Sequence, residues 1–165
     1  MSNNINHPLG DAPWFHVILS TGFGAGFVPI APGTAGALVA LALWWAGYKF
    51  LPVDVLFWVT LITTIAVTVV GAWTSNIMEK YWGEDPRTVV IDEFIGIWIP
   101  ALVAPCGENT WLLAILGFVA FRIIFKPLGC RWVDQNVKGG WGVMLDDALA
   151  GFYSLIICLI VKQFL

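Results

Sequence analysis

Charge is what this chain has least of. Asp, Glu, Lys and Arg make up 12% of its 165 residues, against about 25% in an ordinary soluble domain. With a hydrophobic fraction of 59%, that shortage excludes a water-soluble domain and predicts an integral membrane protein. The net charge of -3 excludes a nucleic-acid partner, which would call for a basic surface. Histidine is nearly absent too. His7 and His16 are both N-terminal, so no imidazole is available to the later acidic motifs as nucleophile or metal ligand. Cys106, Cys130 and Cys158 are odd in number and far apart, which excludes paired-cysteine zinc or redox chemistry. None is followed six positions on by Arg, so a cysteine-phosphate route is excluded, and no Asp-x-Asp pair offers an aspartyl-phosphate route. Met1 to Asp11 is polar, holds no Lys or Arg and shows no cleavage pattern, which is a tail and not a secretory signal.

What is present is apolar and aromatic, with ten Trp and eleven Phe. The pattern predicts an all-α, polytopic membrane bundle of about five spans, over residues 35–51, 54–77, 91–104, 111–125 and 146–161. Residues 1–13 form a polar tail and 14–165 a single membrane-embedded domain. The segment 14–19 is too short to span; it reads equally as an interfacial helix or a docked turn. Between it and the first span, Thr21–Gly36 holds five Gly, two Pro and two Thr. That composition cannot form a straight helix, and irregular backbone at membrane depth survives only where protein buries it or water reaches it. Two readings stand: a reversing loop, or a Gly/Pro-rich loop that admits a phosphate, with a helix start near Thr34 aimed at the anion.

Five crossings place this loop, the 79–87 loop and the 126–145 loop on one face. Lys80, Arg87, Arg122, Lys126, Arg131 and Lys138 lie on or near that face, and only Lys49 and Lys162 lie opposite. The positive-inside rule then turns the first face to the cytoplasm.

The same face collects acids. Asp92-Glu93 opens one apolar run and Asp146-Asp147 opens another, with Gly96 and Gly151 following each pair, and Asp134 lies among the basic residues between them. An acidic pair entering an apolar run costs several kcal/mol unless something neutralises it. Acids also favour a helix N-terminus for the dipole alone, but the doubled pattern points to one shared cation site. Carboxylates without His or Cys suit Mg²⁺, Ca²⁺ or Mn²⁺. The glycines would let two helices approach and join the pairs. Arg122, Lys126, Arg131 and Lys138 then form an anion-binding side, or else serve only as topology charges; Asn76 and Thr34 are further polar lining. What the acids allow is metal-assisted attack by water, with one acid as base. A small ion or solute transporter also uses intramembrane acids and broken helices.

At these residues the chain resembles the phosphatidylglycerophosphatase A family. The resemblance lies in Gly22–Gly36, Val90–Trp98, Phe121-Arg122 with Lys126-Pro127, Arg131–Asp134, and Gly139–Asp147 through Ala150-Gly151. It implies a Mg²⁺-dependent phosphatase of the bacterial inner membrane that releases phosphate from phosphatidylglycerophosphate. Asp92, Glu93, Asp146 and Asp147 would hold metal. Asp134, Asp92 and Lys126 would be catalytic, and Arg122, Arg131, Lys138, Thr34 and Gly33 would bind substrate. The chain departs from the family pattern in two places. Ile123 stands where the family usually has Asp three residues before Lys-Pro, in a segment two residues short, and Gln135 replaces an Arg. The shortening predicts a rotation of Lys126 relative to Arg122, and leaves a non-catalytic lipid-binding relative as an alternative.

Overall fold

The structure, a computed structural model, describes residues 11–84, 86–128, 133 and 136–165. Most of the predicted tail lies outside the described residues, as do Arg131 and Asp134. Among the described residues all regular structure is helical: α1 Trp14–Ser20, α2 Pro32–Phe50, α3 Val53–Trp82, α4 Asp92–Ala101, α5 Thr110–Val119 and α6 Gly140–Lys162. Helix α5 runs on through a π-helical stretch, Ala120–Phe125, and a 3-10 turn, Lys126–Leu128.

Among the described residues, three helical stretches are long and apolar enough to cross a membrane: Val53–Trp82, the continuous rod Gly107–Leu128, and Gly140–Lys162. The two other expected spans fall short of that length and hydropathy, each for its own reason. Helix α2 has 19 residues, about 29 Å at 1.5 Å per residue, which matches a hydrocarbon core of about 30 Å. Its second half, however, carries Trp44, Trp45, Gly47, Tyr48 and Lys49, which dilute its hydropathy. The expected 91–104 span is only the ten residues of α4, about 15 Å long.

So short a helix suffices because lipid never sees it. Nine of its ten residues are buried, all but Trp98, and the Trp98 indole N–H donates to the Ala40 carbonyl of α2 at 2.9 Å. A segment enclosed by protein need not match the bilayer thickness. It does have to turn the chain round. Asn76 near the end of α3 accepts a hydrogen bond from Gly140 N at 2.7 Å, while Lys126 near the end of the rod meets Asp92 and Asp147. Both helices therefore finish at the same end, and residues 83–106 return the chain between them.

Helix α4 lies deepest, packed against α6, α2 and α3. A Cβ at Gly151 would stand 3.1 Å from the Gly96 carbonyl oxygen, so α4 and α6 touch almost backbone to backbone. A Cβ at Gly96 would run into the buried ring of Phe121. Gly96→Ala is therefore expected to cost about 1–3 kcal/mol by overpacking, read as a lower Tm in detergent, with Phe121→Leu recovering part of the loss.

At the N-terminal side, α1 packs on α3 through Val17, and His16 sits edge-on to Trp73 at 4.7 Å. Trp14 is 73% exposed. The last residue of α1 fixes the start of α4, because the Ser20 carbonyl accepts from Val90 N and Ile91 N at 2.8 and 3.1 Å. Thr21–Ala31 contains no α-helix, only a 3-10 turn at Ala25–Phe27. Along α3, the Thr63, Thr64 and Thr68 hydroxyls donate to carbonyls one turn back at 2.6–2.8 Å, which lets polar side chains sit on a membrane helix.

Candidate metal and phosphate site

Three carboxylates from two helices meet at one end of the bundle. Asp92 and Glu93 form the first turn of α4, and Asp147 lies about two turns into α6. All three are buried, and oxygens of the three lie within 4.8 Å of one another. Asp147 has no exposed surface at all. The Gly96–Gly151 contact holds the two helices close enough for this.

Two cations reach the cluster, both from the end of the α5 rod. Arg122 Nη1 donates to Glu93 Oε1 at 2.8 Å. Lys126 Nζ lies 3.0 Å from Asp92 Oδ2 and 3.3 Å from the same Glu93 Oε1, and also bonds Asp147 Oδ1. In the shortened segment Arg122 and Lys126 both reach Glu93 Oε1. The two residues sit on the π-helical stretch and its edge, where i→i+5 closure takes an additional residue per turn, and both arrive at one carboxylate oxygen. Ile123 points outward and is 65% exposed; the three acids come from positions 92, 93 and 147 without it.

Among the described residues, one oxygen of each carboxylate lacks a partner: Asp92 Oδ1, Glu93 Oε2 and Asp147 Oδ2 are buried and accept no hydrogen bond. A buried polar atom left unpaired costs roughly 1–3 kcal/mol, more when charged. With all five groups ionised, three carboxylates against two cations would leave one net negative charge in a low-dielectric pocket. Three convergent, oxygen-only, unpartnered donors are the environment a hard divalent cation neutralises, so the residues fit such an ion.

Above the cluster lies a cavity of about 880 Å³, lined by Gly26 to Gly33 on one wall and Pro86 to Val90 on the other, with Asp92, Glu93, Arg122 and Lys126 at its floor. Gly33 touches the floor: a Cβ there would collide with Glu93 Oε1 and stand 2.7 Å from Arg122 Nη2. Thr34 accepts from Arg122 Nε at 3.1 Å and so aims the guanidinium. Helix α2 starts at Pro32 after Ala31 in a left-handed conformation (φ 54°), so its positive end opens on the cavity.

The remaining candidates lie to the other side. Asp146 stands outside the group of three and lines a second cavity of about 260 Å³ with Asp92, Lys126, Asp147, Glu79 and Lys138. Lys138 is exposed and borders this acidic side; it is not among the residues around Arg122. Asn76 caps α6 through Gly140 N. Arg87, read from sequence only as a face charge, lies on the wall of the large cavity.

These features define a class: a helical protein with helices of membrane-crossing length, whose buried acids and paired cations meet at one end of a cavity. The chain belongs to the phosphatidylglycerophosphatase A family, whose sequence model, described as Phosphatidylglycerophosphatase A, matches residues 18–162. It is 48% identical over 148 residues to a protein of Bacteroides thetaiotaomicron whose provisional name is phosphatidylinositol-3-phosphatase, covering 88% of this chain and 92% of that one. It is 39% identical over 145 residues to the Escherichia coli (strain K12) phosphatidylglycerophosphatase A, covering 86% and 79%. A Haemophilus influenzae protein of that name is 30% identical over 163 residues, covering 97% and 98%. No solved structure matches the chain.

Proposed function

We propose that the protein hydrolyses the phosphate monoester of phosphatidylglycerophosphate, giving phosphatidylglycerol and inorganic phosphate, in a bacterial inner membrane with the site turned to the cytoplasm. The observation that carries this reading is the trio of unpartnered carboxylate oxygens beside Arg122 and Lys126. Asp92, Glu93 and Asp147 would hold Mg²⁺, with Asp146 next to them. When bound, the ion would polarise a phosphoryl oxygen and acidify a water.

The chain's own residues do the rest. Arg122, aimed by Thr34, offers a planar fork to two phosphate oxygens. Lys126 supplies a point charge where negative charge builds up on those oxygens. The start of α2 at Gly33 adds backbone donors and its helix dipole. Asp134 serves as ligand or base and Arg131 as a further phosphate contact, as the family resemblance implies. The acyl chains stay in the bilayer, and only the head group enters. Helices α2 and α4 complete the five crossings, with α4 inside the protein.

Charge also favours a phosphatase over a transporter. The acids gather at one end of the bundle and not along a path through its middle. A phosphate dianion arriving at a site already one charge negative would be repelled, and a divalent cation reverses that sign. The Bacteroides relative's name supports a second substrate of the same chemistry, a phosphate monoester on the inositol of phosphatidylinositol.

The test is phosphate release from both lipids by the purified protein in detergent, with Mg²⁺, with chelator, and with Asp92→Asn. Release that stops with chelator and falls by on the order of 10²–10³-fold in the variant is the expected result. A folded protein that binds the lipid and releases nothing would sink the catalytic reading.

A further inference from the structure

The large cavity is bigger than one phosphate requires. At about 880 Å³ it is near the top of the range that holds a whole small-molecule head group, roughly 300–1,000 Å³. Its two floor cations, Arg122 and Lys126, sit together and are both engaged with the acids. A third cation lines the same cavity: Arg87, exposed, with no ion-pair partner among the described residues.

Arg87 is held in place by its backbone. It follows Pro86, whose ring fixes φ, and the turn is closed by a hydrogen bond from Val89 N to Pro86 O at 2.9 Å. The next residue locks this turn to the opposite wall: the Thr88 carbonyl fills the place where a side chain on Gly26 would be. Four residues later the same segment becomes Asp92, so the Arg87 backbone stands no more than about 18 Å from the Asp92 backbone. One strip of backbone therefore carries Arg87 among the residues that line the cavity and Asp92 and Glu93 in the cluster.

We infer that Arg87 is a specificity residue that binds the phosphodiester of the substrate while Arg122 and Lys126 bind the monoester, so that the cavity selects lipids bearing two phosphates separated by a polyol. The inference rests on the phosphatase reading above. It names the chemistry shared by a phosphatidylglycerophosphate and a phosphatidylinositol monophosphate, and it sets both apart from phosphatidic acid, whose single phosphate sits directly on the diacylglycerol. A diester bears one negative charge close to the membrane surface, where a flexible, exposed guanidinium can meet it without the desolvation cost of a buried pair.

The experiment compares kcat/KM for phosphatidylglycerophosphate, phosphatidylinositol 3-phosphate and phosphatidic acid in mixed micelles, for the wild-type protein, Arg87→Gln and Arg87→Lys. The expected result is a fall of about tenfold in the ratio of two-phosphate lipid to phosphatidic acid in Arg87→Gln, from the loss of one charge-assisted contact at an exposed site. Arg87→Lys should regain part of that ratio by restoring the charge. A fall on the glycerol lipid alone or on the inositol lipid alone supports the inference and tells which polyol spaces the two phosphates. Equal losses on all three lipids, or no change in the ratio, overturn it while leaving the phosphatase reading intact. A wild-type protein that releases phosphate from none of the three overturns both.

Discussion

Replacing Lys126 with Met is expected to lower phosphate release by at least about a thousandfold, and to make stability depend on divalent cation. Lys126 touches all three acids. Removing it leaves Asp92, Glu93 and Asp147 buried with only Arg122 on Glu93. Breaking a buried ion pair by deleting one partner costs about 3–5 kcal/mol, because the remaining charge stays uncompensated. Two effects then compete. Met fits the stem's apolar surroundings, including the Phe121 ring 6.0 Å from Nζ, but it cannot neutralise the acids. The electrostatic loss is the larger, so the variant should unfold at a clearly lower temperature in chelator. Added Mg²⁺ should restore much of that difference by taking the place of the missing charge. Lys126→Arg should not recover activity, since a planar fork cannot meet three carboxylates from one point. Melting curves with and without Mg²⁺, beside phosphate release, check both parts. A Tm indifferent to the cation in Lys126→Met would remove the basis for a metal among these acids.

Much of this is legible in the sequence, and the parts that are not have specific causes. Composition alone reveals the membrane class, and the doubled pair of acids with a glycine following leads to α4 and α6. Adjacent residues on a helix are about 100° apart, and here Asp147 joins Asp92 and Glu93 while Asp146 lines the smaller cavity beside them. Which of them turns inward depends on the tertiary contact of Gly151 with Gly96, and no local pattern encodes that. The expected span at α4 comes out short because hydropathy does not distinguish a segment facing lipid from one enclosed by other helices. Residues four apart share a helix face, so Arg122 and Lys126 can both reach Glu93 from the shortened segment. Gly33 reads in the sequence as a possible backbone donor, yet its tighter constraint is the contact with Glu93 and Arg122. Arg87 reads there only as a charge on one face. The signal of its place is its position between Pro86 and the acidic motif, five residues before Asp92.

The inward turn of Asp147 makes a sharp comparison with its neighbour. Asp147→Asn is expected to lower phosphate release by on the order of 10²–10³-fold and to raise the Mg²⁺ concentration needed for half-maximal activity. Asp146→Asn should cost about tenfold or less, the range of a residue that acts through its neighbours. The shapes of Asn and Asp are nearly the same, so packing around the fully buried position 147 is kept and charge alone is tested. In the Asp147→Asn variant, the two remaining carboxylates are balanced by Arg122 and Lys126, and the pocket becomes neutral without a metal. Stability in chelator should therefore rise or hold while activity collapses. That opposition separates a functional acid from a structural one: a carboxylate kept for the fold would lose stability on neutralisation, and a carboxylate kept for a cation loses the cation first. Binding of Mn²⁺ as a paramagnetic substitute, measured for both variants, shows which acid holds the ion. Equal weakening at 146 and 147 would mean that the site extends into the smaller cavity, and that the group of three is only part of it.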